Sequence, residues 1–271
     1  MYDMSMRKLS LIISPMLIAA SVVGHTLFFP FISKSCSPID KGVSYLDTRF
    51  HPVLGLLNES PQVAPHKYWL ANDNLLAAHA LAELGRTGLS NKIILSARTY
   101  GVDRNGLIEV IWGVPVTYPP FVGEQILIKR IEDNEIWQEN HLQGSQFLDW
   151  QEYANLGFLG ALNQFHRGNI QEAIDQYDAT LVRFDGIGFK DKAHDGRYET
   201  YKLALAIFTG RTLQTTNPDE GNMLSILTEL QAEDGGFYTH YVTSDSPQGD
   251  TNTETTSLAL LALHIAGCPA P

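Results

Sequence analysis

The sequence predicts a mainly α fold: repeated α-hairpins forming an α/α toroid or part of one, with a small β-hairpin insert near residues 107–137. Three observations predict it. Four apolar segments recur at long intervals, amphipathic segments alternate with them, and one Pro-rich, β-prone stretch interrupts the pattern.

The four apolar segments share a polar start, then a Leu followed by a small residue. They begin Asn72-Asp73-Asn74-Leu75-Leu76-Ala77, Glu152-Tyr153-Ala154-Asn155-Leu156-Gly157, Glu199-Thr200-Tyr201-Lys202-Leu203-Ala204 and Glu254-Thr255-Thr256-Ser257-Leu258-Ala259. Each continues into an Ala- and Leu-rich stretch that is apolar on nearly every side, the mark of a helix buried all round. Between them, Leu89–Tyr100, Ile170–Phe184 and Glu220–Gln231 have apolar residues at helical spacing and charged opposite faces. Asn169 and Asp219 are suited to N-caps, and Gly85, Gly101, Gly168, Gly210 and Gly267 stand where helices should stop. Val43–Leu57 supplies a further outer helix. An irregular helical bundle is the simpler alternative. In the interruption, Ile108–Trp112 and Gln125–Lys129 read as strands, with Asp133-Asn134 as a turn.

From Leu9 to Ile32 no charged residue occurs, and Arg7 and Lys8 precede the run. That order reads residues 1–36 as a signal peptide or an N-terminal transmembrane anchor, and 41–271 as the α/α-hairpin domain, secreted or held outside the cytoplasm. The membrane, through this segment, is then one partner. Cys36 and Cys268 are the two cysteines; outside the cytoplasm they would pair, and otherwise stand as thiols. Asn58-Glu59-Ser60 has the form of a glycosylation sequon. The net charge of −11 excludes nucleic acid as a partner, since phosphates need a basic face. No phosphate loop, serine elbow or metal spacing occurs, so neither cofactor nor metal is expected.

The segment Gln231-Ala232-Glu233-Asp234-Gly235-Gly236-Phe237, followed by the helix Thr253–Leu263, resembles the repeat of the terpenoid-cyclase and protein-prenyltransferase class of α/α toroids. Asp185-Gly186-Ile187-Gly188-Phe189 is a weaker copy. The resemblance implies the fold. It does not carry the chemistry over: the polyprene-protonating acid motif would fall at 250–254, which reads Asp-Thr-Asn-Thr-Glu, and no Cys stands where a prenyltransferase holds zinc.

The repeat itself points to a site. Polar residues at matching heights would form a rim at the inner-helix starts, with Glu152, Glu199 and Glu254 as catalytic carboxylates kept ionised by the helix N-termini. Trp69, Asn72, Asp73, Trp150, Tyr153, Tyr198, Tyr238, His240 and Asn252 would bind substrate beside them, aromatic faces stacking on sugar rings. Helix capping is the plainer role for any one of these acids. The functional expectation is a glycan-active hydrolase or lyase using two carboxylates. A non-catalytic protein binding a glycan or an envelope protein, and a cyclase-like enzyme on apolar substrates, are the alternatives.

Overall fold

A computed structural model describes residues 37–102 and 106–268; the apolar run Leu9–Ile32 and Cys36 lie outside the described residues. The described chain is mainly α, with three small sheets. Its elements are α1 (Ser37–Arg49), β1 (Phe50–His51), β2 (Leu56–Leu57), β3 (Lys67–Trp69), α2 (Leu76–Glu83), α3 (Thr87–Thr99), β4 (Glu124–Ile131) and β5 (Asn134–Asn140). There follow α4 (Ala154–His166), α5 (Ile170–Leu181), β6 (Tyr198–Glu199), α6 (Thr200–Leu213), α7 (Glu220–Glu229), β7 (Phe237–Tyr241), β8 (Pro247–Asn252) and α8 (Thr253–Ile265).

Helices of two kinds alternate as the apolar pattern requires. In α8 every residue from Thr255 to Leu263 is buried, and α4 and α6 are nearly as enclosed. By contrast α5 buries only Ala173, Tyr177 and Thr180, and α7 only Met223, Ile226 and Leu227, single stripes at spacings of three and four. The enclosed helices pack in the order α4, α6, α8, α2, around one apolar core. Their amphipathic partners lie against them: α5 on α4, α7 on α6 and α3 on α2, while α1, from the other end of the described chain, packs on α8.

Close helix contacts depend on missing side chains. A Cβ added at Gly157 would lie 2.4 Å from the Thr180 hydroxyl oxygen, and one at Gly210 2.5 Å from that of Tyr177. Gly210 is thus not the expected helix stop: it lies inside α6, where the Tyr177 ring needs the space, and α6 ends at Gln214 with φ +54°.

The Asp-Gly-Gly-Phe segment is a packing device. Asp234 Oδ1 accepts the Gly236 N–H at 3.0 Å, and Gly235 takes φ +93° while its Cα passes so near Lys41 that a Cβ would meet the Lys41 carbonyl. Gln231 donates to the carbonyls of Pro38 and Gly235, and the Phe237 N–H to Thr256, so one turn joins α1 to α8. The earlier copy repeats this chemistry. Asp185 accepts from Ile187 and Gly188, Gly186 has φ +95°, and Phe189 is buried against Phe158.

The insert differs from expectation in one part. Ile108–Trp112 is a 3₁₀ helix rather than a strand: Ile108 to Ile111 are all buried without alternation, and Gly113, at φ +86°, ends the turn in the left-handed region. The hairpin is β4–β5, closing through Glu132-Asp133, one residue before the expected Asp133-Asn134, so that Asn134 opens β5. Sequence did not predict that β5 also pairs in parallel with β3, making the sheet β3-β5-β4. A second sheet, β6-β7-β8, is antiparallel. Cys268 is disulfide-bonded. No helix among the described residues is long and apolar enough to cross a membrane.

Candidate active site

Three strands run into buried helices and so deliver helix starts to one place. β3 leads through a π-helical turn, Leu70–Leu75, into α2; β6 leads into α6; β8 leads into α8. Because β7 pairs with both β6 and β8, Glu199 and Glu254 start neighbouring helices. The loop before β3 is drawn to the same spot. The Asn74 amide bridges Leu57 and Trp69, and Thr253 bonds through its N–H to Glu59 O and through its hydroxyl to Asn58 O. Asn58, of the sequon, spends its amide on the Ser60 and Pro65 carbonyls.

The result is a cavity of about 420 Å³. Its floor is apolar, made by Ile108, Ile111, Leu156, Leu159, Leu205 and Leu258; its walls carry Asn72, Asn155, Glu139, His141, Glu199, Tyr201 and Glu254. An adjoining lobe of about 160 Å³ adds Glu59, Trp69, Asp73 and Gln125, sharing Asn72, Glu139 and Glu254 with the main chamber.

The carboxylates there have unlike surroundings. Glu139 Oε2 lies 3.1 Å from His141 Nε2 and accepts from Asn72 at 2.6 Å; this bonding holds its carboxyl below the usual range despite burial. Burial disfavours the His141 imidazolium, but Glu139 and the Phe121 carbonyl outweigh it and raise the histidine. Glu199 is ion-paired with Lys202, itself 1% exposed, whose ammonium also reaches Asp191 at 2.6 Å. Asp191 in turn accepts the first N–H of α4, from Ala154, at 2.7 Å. Glu59 takes the Trp69 indole N–H at 3.0 Å.

Asp73 and Glu254 are different: only burial and other carboxylates act on their charge. Asp73 is 3% exposed and its Oδ2 has no hydrogen-bond partner. Burial first, then Glu139, Glu59 and Glu199, pushes Glu254 up to about 8. Burial and the Glu254 charge push Asp73 well up as well. Both are raised, and the Glu254 charge ties Asp73 to it, so at neutral pH the pair keeps a proton. This corrects the expectation that helix N-termini would hold these acids ionised. A helix end is worth about 0.3–1 kcal/mol to a carboxylate at an exposed site, less than burial beside three like charges costs.

Of the expected site residues, Glu199, Glu254, Asn72, Asp73 and Trp69 line the two chambers. Glu152 does not: a 3₁₀ turn, Trp150–Glu152, carries it to the surface, where it pairs with Lys192, and Asn155 takes the wall position instead. Trp150 packs on Tyr118 and Tyr153 on Phe147. Tyr198 is buried on Tyr241 and donates to Asp185. Tyr238 and His240 lie on β7 and line neither chamber, although His240 is paired with Glu199 across the strands. Asn252 caps α8 by accepting the Thr255 N–H at 2.8 Å. Glu139 and His141 were missed. They follow Trp137 at intervals of two, Glu139 on β5 and His141 just past its end, and that alternation is the signal that would have found them. Among the described residues no three His, Cys, Asp or Glu side chains converge to hold a metal ion.

No protein-family pattern, curated protein or solved structure matches the chain, so the site stands on its own geometry.

Proposed function

We propose that the chain is a glycoside-cleaving enzyme built as an α/α toroid, with Glu254 as general acid and Glu139 as general base. The observation that carries this reading is the contrast within one cavity: an acid pair that holds a proton at neutral pH beside a carboxylate kept ionised by a histidine. Glycoside hydrolysis needs that pairing of a neutral and an ionised carboxyl group. In the proposed step Glu254 passes its proton to the glycosidic oxygen as the C–O bond breaks. Water adds to the anomeric carbon and Glu139 takes its proton. Trp69 supplies a ring for stacking in the smaller lobe.

Support for the toroid comes from the packing order α4, α6, α8, α2, from the outer helix on each, and from the two Asp-Gly turns of shared geometry. The disulfide at Cys268 supports an oxidising, extracytoplasmic compartment, secreted or at a membrane. Release of reducing ends from oligosaccharides, lost in Glu254→Gln, is the expected result. If no oligosaccharide is cleaved while the parent chain still binds one, the non-catalytic glycan-binding reading replaces it. The leucine and isoleucine lining favours a second reading, protonation of an apolar substrate by Glu254; consumption of an isoprenoid by the parent and not by Glu254→Gln is its test.

A further inference from the structure

We infer that the substrate carries a free ammonium group, bound between Asp73 and Glu254, which on the glycan reading makes it an amino sugar rather than a neutral or acidic one. The argument starts from an unsatisfied atom. Asp73 Oδ2 is buried and has no donor, and Asp73 lines the smaller lobe. Such an oxygen is costly to bury, and more so when charged, unless a ligand supplies the missing donor.

The charges facing that lobe decide what kind of donor. Glu59 comes from the loop before β3, Asp73 from the turn before α2, Glu139 from β5 and Glu254 from α8; Glu199, on β6, lies farther along the wall. Opposing them are His141, spent on Glu139, and Lys202, spent on Asp191 and Glu199. The lobe therefore remains negative even when the Asp73–Glu254 pair holds a proton. A carboxylated or sulfated sugar would meet like charge, and a hydroxyl would supply one donor without charge. An ammonium supplies three donors and the opposite charge in place of the proton on Asp73, and leaves Glu254 the proton it donates. Trp69 adds an aromatic wall against which a cation is attracted.

The test is calorimetric titration of the intact chain near neutral pH with three oligosaccharides of equal length: glucosamine, N-acetylglucosamine and glucose oligomers. The expected result is binding of the free-amine oligomer about tenfold or more tighter than the other two. Heats measured in buffers of different ionisation enthalpy should show proton release, and Asp73→Asn should lose both the preference and the release. Because Asp73 is buried, the fold of Asp73→Asn is first checked by circular dichroism; if it does not fold, the preference of the parent chain among the three oligomers decides. Equal binding of the three, or preference for the acetylated one, overturns the ammonium site and leaves the glycan reading intact. Binding of methylammonium with no oligosaccharide bound supports the cation site and overturns the glycan reading. Binding of none of these probes overturns both.

Discussion

Glu254 is where one proton links stability to chemistry. Its carboxyl is raised from 4.5 to about 8 in the folded chain. The folded state therefore keeps a proton that the unfolded state has already released, so this contribution to stability is whole below 4.5 and is lost as pH rises through about 8. Asp73 acts in the same direction, and His141, raised by its partner, likewise favours the folded state less as pH climbs. Glu139, lowered, acts oppositely, but its window lies below the ordinary carboxylate value, where acid removes its bond to His141. Melting temperature should consequently fall between about pH 5 and 9, and Glu254→Gln should flatten the fall. A parent profile that is level across that range refutes the assignment. If Glu254 is the acid, turnover should drop by about 10²–10⁴-fold in Glu254→Gln, and in the parent it should decline above about pH 8 as the proton leaves. Initial rates across a pH series check both.

At the scale of elements, backbone proximity matters more than helix propensity. Gly157 lies near the start of α4, at a helical position where Ala would ordinarily gain about 1 kcal/mol. Here the added Cβ would press on Thr180 of α5, with its oxygen at 2.4 Å and Cγ2 at 2.9 Å. Overpacking costs about 1–3 kcal/mol, so Gly157→Ala should destabilise, read as a lower urea midpoint with an unchanged slope. A higher midpoint means α4 and α5 separate more easily than their contact implies. Asn252→Ala should cost about 1 kcal/mol by the same assay, because it removes the N-cap of α8. That variant also tests the expectation that Asn252 binds substrate. Lost ligand affinity with unchanged stability would restore that role.

Across the whole molecule, the least replaceable interaction is the buried ion cluster under the site. Lys202 on α6 reaches Asp191, which caps α4, and Glu199 at the cavity wall. Asp191's side chain is fully enclosed and that of Lys202 is 2% exposed, so Lys202→Met leaves a carboxylate buried without its cation. Breaking such a pair costs about 3–5 kcal/mol, a large part of the stability of an ordinary domain. Thermal denaturation should show a correspondingly large loss, and a change of under about 1 kcal/mol would mean the pair is not sealed from water.

Helix positions could be read from the chain because burial leaves a periodic record: all-round apolar runs for α4, α6 and α8, stripes for α5 and α7. The same record located Asn72, Asp73, Glu199 and Glu254 at the helix starts, and it misplaced Glu152 because one 3₁₀ turn rotates that residue outward. What sequence spacing cannot encode is convergence. Glu139 meets Asn72 only because β5 pairs with β3, and Glu59 meets Glu254 only because Thr253 bonds to the loop carrying it. Protonation is likewise a tertiary property. Sequence identifies Asp73 and Glu254 as acids, but burial beside other carboxylates raises them, and a bonded histidine keeps Glu139 ionised. The one-dimensional pattern thus determined which residues are helical and which are acidic; only folding decided which acids are left without a partner, because desolvation and neighbouring charge exist only once the segments meet.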